Sequence, residues 1–274
     1  MNNTILPQFH LQTLSFLRNS KTVFFTLAFP VVLALLFGLA YKDETLPLGG
    51  GVSVQFRSWL ALGLTSYVVL MGGFIKVAGD IASQRDSGLL KRIRLRGESD
   101  GAVLFGYALS GLVISLICEA ILLLSAVFFL GLKAPANIPG TILVALLGAV
   151  LCTVIGVAYS AFIPSADSSQ MMLLVPTLIL MFLSGVFEPA WIIPASLRDI
   201  SQVFPVGYLA DAMRSMWLGQ DFAHATMTAN GMNLGTHQGL GILVSPGLAV
   251  CCVWLLVSVV VSLRFFRWDV RSGR

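Results

Sequence analysis

Apolar positions in this chain are gathered into long runs, and polar positions into the short stretches between them. Six runs stand out: Thr22–Tyr41, Ser58–Ile75, Ala102–Gly131, Gly140–Phe162, Met171–Phe187 and Gly241–Leu263. A helix rises ~1.5 Å per residue, so ~20 apolar residues cross a hydrocarbon layer ~30 Å thick. In lipid every backbone N–H and C=O must find its partner within the protein, which leaves helices or closed barrels. The runs are too long and too uniformly apolar for the alternation of barrel strands. The pattern predicts an all-α integral membrane protein, one domain over residues 1–274, with six transmembrane helices.

Three segments outside the runs carry a pattern of their own. In Leu6–Asn19, Leu6, Phe9, Thr13, Phe16 and Leu17 fall on one helical face and Gln8, Gln12, Ser15 and Asn19 on the other. This predicts an amphipathic helix lying in the membrane interface, with its apolar side toward lipid. In Val206–Leu218, Val206, Leu209, Met213, Met216 and Trp217 share a face, while Asp211 and Arg214 mark a more polar side. It belongs to the connection Glu188–Leu240, punctuated by Pro189, Pro194 and Pro205, where Trp191 and Trp217 suggest contact with the interface. A re-entrant pair of short helices before the last span is expected there.

The third segment, Lys76–Gly101, is a polar loop with six of the seventeen basic residues. Within it, Gln84-Arg85-Asp86-Ser87-Gly88-Leu89-Leu90-Lys91-Arg92 reads as a short helix. Treated as one helix, it sets Leu89 and Ile93 on one face and Arg85, Arg92 and Arg96 on another. The leucine–isoleucine face is expected to pack on a partner or on the underside of the chain, and the arginines to meet acidic groups or lipid head groups. Gly88 either lets the chain approach closely or bends it.

Composition supports this picture. Hydrophobic residues make up 57% of the chain and charged residues 11%, with a mean hydropathy of +0.87; a soluble domain carries about 25% charged residues. The net charge of +4 follows topology and does not indicate nucleic acid. With the N-terminus inside, twelve Lys and Arg flank the spans on the cytoplasmic side and five on the other. The expectation is a multi-pass protein of the cell membrane with both termini cytoplasmic and Glu188–Leu240 outside. The first run lacks a small-x-small cleavage site and is expected to stay as an anchor. Cys118, Cys152, Cys251 and Cys252 all lie in apolar runs and read as small buried hydrophobes.

Candidate chemistry is sparse. None of the five lysines follows a glycine, so there is no phosphate-binding loop of the G-x-x-x-x-G-K type. His10, His224 and His237 lack metal-ligand spacing and an evident Ser or Asp companion in the sequence. No cofactor or metal is expected in this chain. Glu119 is the one carboxylate inside an apolar run. It reads as a proton site, as a substrate contact, as a group near the outer interface, or as one that pairs within a helical interface. A mostly neutral interior suggests that energy comes from outside the membrane.

Four motifs resemble type-2 permeases of ATP-binding-cassette exporters. Gln84 to Arg94 resembles that family's cytoplasmic coupling helix, in which acidic-Arg-acidic-x-Gly-x-Leu-x-Arg follows the second span. Leu183-Ser184-Gly185-Val186-Phe187-Glu188-Pro189 is similar to the end of its fifth span. Phe204-Pro205-Val206-Gly207-Tyr208-Leu209-Ala210-Asp211-Ala212-Met213-Arg214 is similar to its extracellular re-entrant segment. Leu17-Arg18-Asn19-Ser20-Lys21 through Phe25, Phe29-Pro30 and Phe37-Gly38 resembles the start of its first span. The chain departs from the pattern at Gln84, where an acidic residue is usual, at Leu89 in place of Thr, and in lacking a Pro around Gly97-Glu98-Ser99-Asp100.

The resemblance implies half of a transport path, completed by a second permease copy, identical or not. A separate ATPase subunit, holding ATP and magnesium, would drive it by alternating access. Gln84, Arg85, Asp86, Ser87, Gly88, Leu89, Lys91, Arg92 and Ile93 would then contact that ATPase. The second and fifth spans would face the path, offering Tyr67, Met71 and Phe74 with Met172, Leu180 and Phe182. The short loops resemble the drug and natural-product branch, whose cargo is a hydrophobic or amphipathic small molecule. Export of a polysaccharide or lipid-linked glycan, and a proton-coupled carrier using Glu119, are the other readings.

Overall fold

The computed structural model describes residues 5–48, 53–95, 100–187, 193–228 and 231–266. Among them, six helices are long and apolar enough to cross a membrane. An N-terminal helix α1 (Ile5–Arg18) precedes the first span α2 (Ser20–Ala40). A small hairpin, β1 (Thr45–Pro47) and β2 (Ser53–Gln55), leads into the second span α3 (Phe56–Asp86). After the short α4 (Leu89–Leu95) come the third span α5 (Asp100–Leu130), the fourth α6 (Ile138–Ser160) and the fifth α7 (Ala166–Leu183). Two further helices, α8 (Ala195–Ser201) and α9 (Pro205–Leu218), and a hairpin of β3 (Asp221–Thr228) and β4 (Gly231–Gly235) precede the last span α10 (Pro246–Phe265).

The observed ends differ from the apolar runs for local reasons. The fourth span starts at Ile138 because Asn137 caps it, its Oδ1 accepting from Gly140 N at 2.9 Å. The fifth starts at Ala166, before Met171, because Ser165 and Ser168 form a capping box. The last starts at Pro246; Gly239–Leu243 is a 3-10 turn. The second span shows the largest difference. Its helix continues past Ile75 to Asp86, so the first half of the predicted polar loop is helix.

This second span is the axis of the molecule. Its most apolar window is 94% buried, against 17% for the fifth and the sixth. Close approach is achieved by small residues, as expected where lipid supplies no hydrophobic drive between helices. At Gly156 of α6 a Cβ would lie 2.8 Å from the Gly73 carbonyl oxygen and 2.9 Å from that of Phe74. Gly73 and Phe74 belong to a π-helical stretch, Leu70–Ile75; a second one, Phe24–Ala28, lies in the first span. The two spans are joined there by Tyr67, whose hydroxyl donates to the Phe25 carbonyl at 3.2 Å. In α7, Pro176 removes the N–H that would serve the Met172 carbonyl, and the Tyr159 hydroxyl donates to that oxygen at 3.0 Å instead.

Helix α1 leaves leucines outward as expected, but its glutamine side is buried, and Phe16 with it. Gln8, Gln12 and Phe16 are buried, while Leu6, Leu11, Leu14 and Leu17 are exposed. The glutamines lie toward Tyr107 of α5, and Thr13 Oγ1 is 3.4 Å from Ser110 Oγ. The glutamines thus face the polar side chains of the third span, although among the described residues neither Nε2 has a hydrogen-bond partner, and the leucines are left for the lipid.

The short helical pair expected before the last span is present as α8 and α9, and Val206, Leu209, Met213, Met216 and Trp217 are buried as the pattern predicted. Arg214 is not on a polar side; it is fully buried. Its Nη2 donates to the Gly185 carbonyl at 2.9 Å, its Nε to that of Trp59 at 3.3 Å and its Nη1 to Asp211 at 2.9 Å. Its guanidinium also lies 3.5 Å over the Trp59 ring. Both hairpins pack at this end, through Leu48, Val54, Trp59, Phe222 and Met232. The hairpins were not expected from the sequence.

Candidate functional site

At the opposite end, the second span turns into α4 through an elbow that gathers the residues singled out in Lys76–Gly101. The helix can leave the apolar layer because its polar groups are matched. Lys76, almost fully buried, pairs with Asp80 one turn on at 2.8 Å and donates to Ser110 Oγ at 3.3 Å. The elbow itself is Gly88, at φ +70°. Among the described residues no atom lies within 4 Å of where its Cβ would be, so glycine is required by the backbone conformation, not by crowding. Ser87 N donates to the Ser83 carbonyl and Gly88 N to that of Arg85, each at 3.0 Å, closing the end of α3.

Arg85 and Asp86 hold two neighbouring helix ends. Arg85 is buried, and its guanidinium donates to the Ser160 carbonyl at 3.1 Å and to that of Ile163, at the C-terminus of the fourth span. The Asp86 carboxylate accepts from Ala166 N, at the N-terminus of the fifth. A cation at the negative end of one helix dipole and an anion at the positive end of the next are both favourable. Adjacent residues of opposite charge thus clamp the turn between two consecutive spans. Gln84 reaches a third element, its Oε1 accepting from the Tyr107 hydroxyl, beside the glutamines of α1.

Gln84, Arg85, Asp86, Ser87, Gly88, Leu89, Lys91, Arg92 and Ile93 therefore meet at one place, but not on one helix. The break at Gly88 separates Arg85 from Arg92, so the expected arginine face does not exist; Arg96 lies outside the described residues. The side chain that anchors α4 is Leu90, fully buried against Val77, Ile81, Val103, Tyr107 and Val157, whereas Leu89 and Ile93 are half-buried. Lys91, Arg92, Arg94 and Leu95 are exposed, Leu95 at 79%. The elbow presents a basic surface with one protruding apolar side chain.

The expected path residues separate into two groups. Tyr67, Met71 and Phe74 are buried within the chain, Phe74 edge-on to Tyr159 with ring centroids 5.2 Å apart, so the second span offers no open face. On the fifth span Met172 and Leu180 are half-buried and Phe182 is exposed. Met171, Val175, Ile179 and Phe182 form its outward stripe. Glu119 is buried beside Thr65, Ser66 and Leu209, and its Oε2 has no hydrogen-bond partner among the described residues.

Two groupings escaped the sequence reading. One is the Arg214 clamp, for which Gly63 was the available signal: a Cβ there would lie 2.5 Å from Arg214 Nη2. The other is Asp221, which lies between His224 and His237, contrary to the expectation that the histidines lack an Asp companion. Burial opposes ionisation of Asp221, yet the bonds from His224 and His237 outweigh it and hold its carboxyl below the ordinary range. The bond to Asp221 raises His224 above the ordinary imidazole value.

A comparison with curated proteins finds no match. The family described as ABC-2 type transporter matches residues 9–218, which takes in the elbow, five of the six spans and the Arg214 clamp. The chain belongs to that family of membrane transport subunits.

Proposed function

We propose that the chain is the membrane half of an ATP-driven exporter, working as a pair of permease subunits above separate ATPase subunits that carry ATP and magnesium. The observation that carries this reading is the elbow. A push on α4 would reach the fourth span through Arg85, the fifth through Asp86, and the third and α1 through Gln84 and Tyr107. The exposed surface of Lys91, Arg92, Arg94 and Leu95 is the ATPase contact. Elbow and termini are cytoplasmic, and the hairpin end faces outward.

The open apolar stripe on the fifth span, with Met171 and Phe182 among aliphatic side chains, suits the second subunit and a path for varied apolar cargo. The cargo is a hydrophobic or amphipathic small molecule of the drug or natural-product kind. Second-span residues would reach the path only by repacking.

The test is co-expression with the ATPase subunit, followed by co-purification and cargo-stimulated ATP hydrolysis. Leu95→Asp places a charge on the exposed contact while Leu90 still anchors α4. It should insert normally, release the ATPase and abolish stimulation. Normal insertion with the ATPase retained and stimulation unchanged would refute α4 as the docking element.

A further inference from the structure

At the hairpin end, Asp221, His224 and His237 form a cluster whose geometry exceeds what a hairpin needs. In a regular strand residues 221 and 224 point to opposite faces. Here the register slips between Asp221, which pairs with Gly235, and Thr226, which pairs with Asn233. The irregularity turns His224 back onto Asp221. Its Nδ1 lies 2.9 Å from Oδ1 and 3.1 Å from Oδ2, and His237 Nδ1 lies 3.0 Å from Oδ2. The two rings are 4.0 Å apart at their centroids and tilted by 30°.

The carboxylate is positioned before either ring is considered. The backbone N–H groups of His224 and His237 donate to Oδ1 and Oδ2, each at 3.0 Å. Gly235 leaves the space the carboxylate fills, since a Cβ there would overlap Oδ2. His224 Nε2 lies 3.1 Å from the Val244 carbonyl oxygen, so it is the donor and Nδ1 is the nitrogen turned toward Asp221. A metal-bound imidazole has this arrangement, one nitrogen on the ion and the other N–H on a backbone carbonyl.

We propose that Asp221, His224 and His237 bind a divalent first-row transition cation through one carboxylate oxygen and two Nδ1 atoms. The ligand atoms lie within 4.8 Å of one another. Around a tetrahedral zinc, neighbouring ligand atoms are about 3.3 Å apart, so closure asks for only small shifts. Two imidazoles and a carboxylate suit zinc, cobalt or nickel better than calcium or magnesium. His237 is about half exposed, which gives the ion an entry route and leaves a fourth position for water. Bound there, the ion would tie the start of β3, just after α9, to the turn before the last span. The proposal stands independently of the transport reading.

The test uses the full chain, purified without a histidine tag, and zinc as the probe, titrated by calorimetry. Cobalt absorption gives a second readout of tetrahedral ligation. One equivalent should bind at micromolar zinc or tighter. His237→Ala, at an exposed position that leaves the fold intact, should weaken binding by about tenfold or more. Asp221→Asn with His224→Ala should abolish the cobalt bands, while His10→Ala changes neither readout. Absence of saturable binding, or binding that survives in the His224→Ala/His237→Ala double variant, would overturn the proposal.

Discussion

Arg85 and Asp86 are neighbours with different tasks, and their variants should separate. Arg85→Ala removes the donor to two buried carbonyls, those of Ser160 and Ile163. Leaving such acceptors unmet costs about 1–3 kcal/mol. Asp86→Asn keeps an oxygen for Ala166 N but loses the charge at the helix end, which is worth about 0.3–1 kcal/mol. Thermal unfolding of the purified chain should show a clear fall in Tm for the first and a small one for the second. A larger loss for Asp86→Asn would mean that the carboxylate, not the guanidinium, carries the clamp. Glu119 belongs to a different argument. It is buried and has an oxygen without a partner, yet among the described residues no basic side chain pairs with it. Glu119→Gln should leave ATP-dependent export near the wild-type rate; export that follows the proton gradient and is lost in this variant would favour a carrier instead.

Among the elements, what could be read in advance was whatever lipid solvation dictates. All six spans were visible because nothing but a helix can carry so long an apolar run across a membrane. Those features that depend on one polar group meeting another were not. The extension from Lys76 to Asp86 reads as loop because Lys76 and Asp80 look solvated, and only their mutual pairing and Ser110 make them fit a packed helix. Helix α1 was amphipathic as expected, but its Gln8–Gln12 side turned inward toward Tyr107 on the third span, a contact the pattern along one helix does not carry. The hairpin ligands were hidden because the slip at Asp221–Thr226 has no signature in the sequence. Gly88 is the element-scale test. A Gly88→Ala chain keeps free space around the new methyl but must hold it in a left-handed conformation, at about 1–2 kcal/mol. It should insert normally and lose stimulated ATP hydrolysis before it loses stability; unchanged coupling would show that α4 need not keep this angle.

For the whole molecule, the two ends have distinct constructions: an elbow of charged clamps at one, and hairpins over Trp59 and Arg214 at the other. Single cysteines at Ser87 and Thr226, in a background without the native cysteines, should be labelled by impermeant reagents from opposite sides, Thr226 from outside. Labelling of both from one side would refute the six-span arrangement. The burial of the second span has one more consequence. Because it is enclosed by its own chain while the fifth lies open, the packed frame and the open apolar stripe occupy different helices. Changes in the stripe around Met171, Val175 and Phe182 can accumulate without disturbing Gly73, Gly156 or the elbow. On the proposed reading, such a protein would acquire new cargoes by drift on one exposed helix while its drive train is inherited intact.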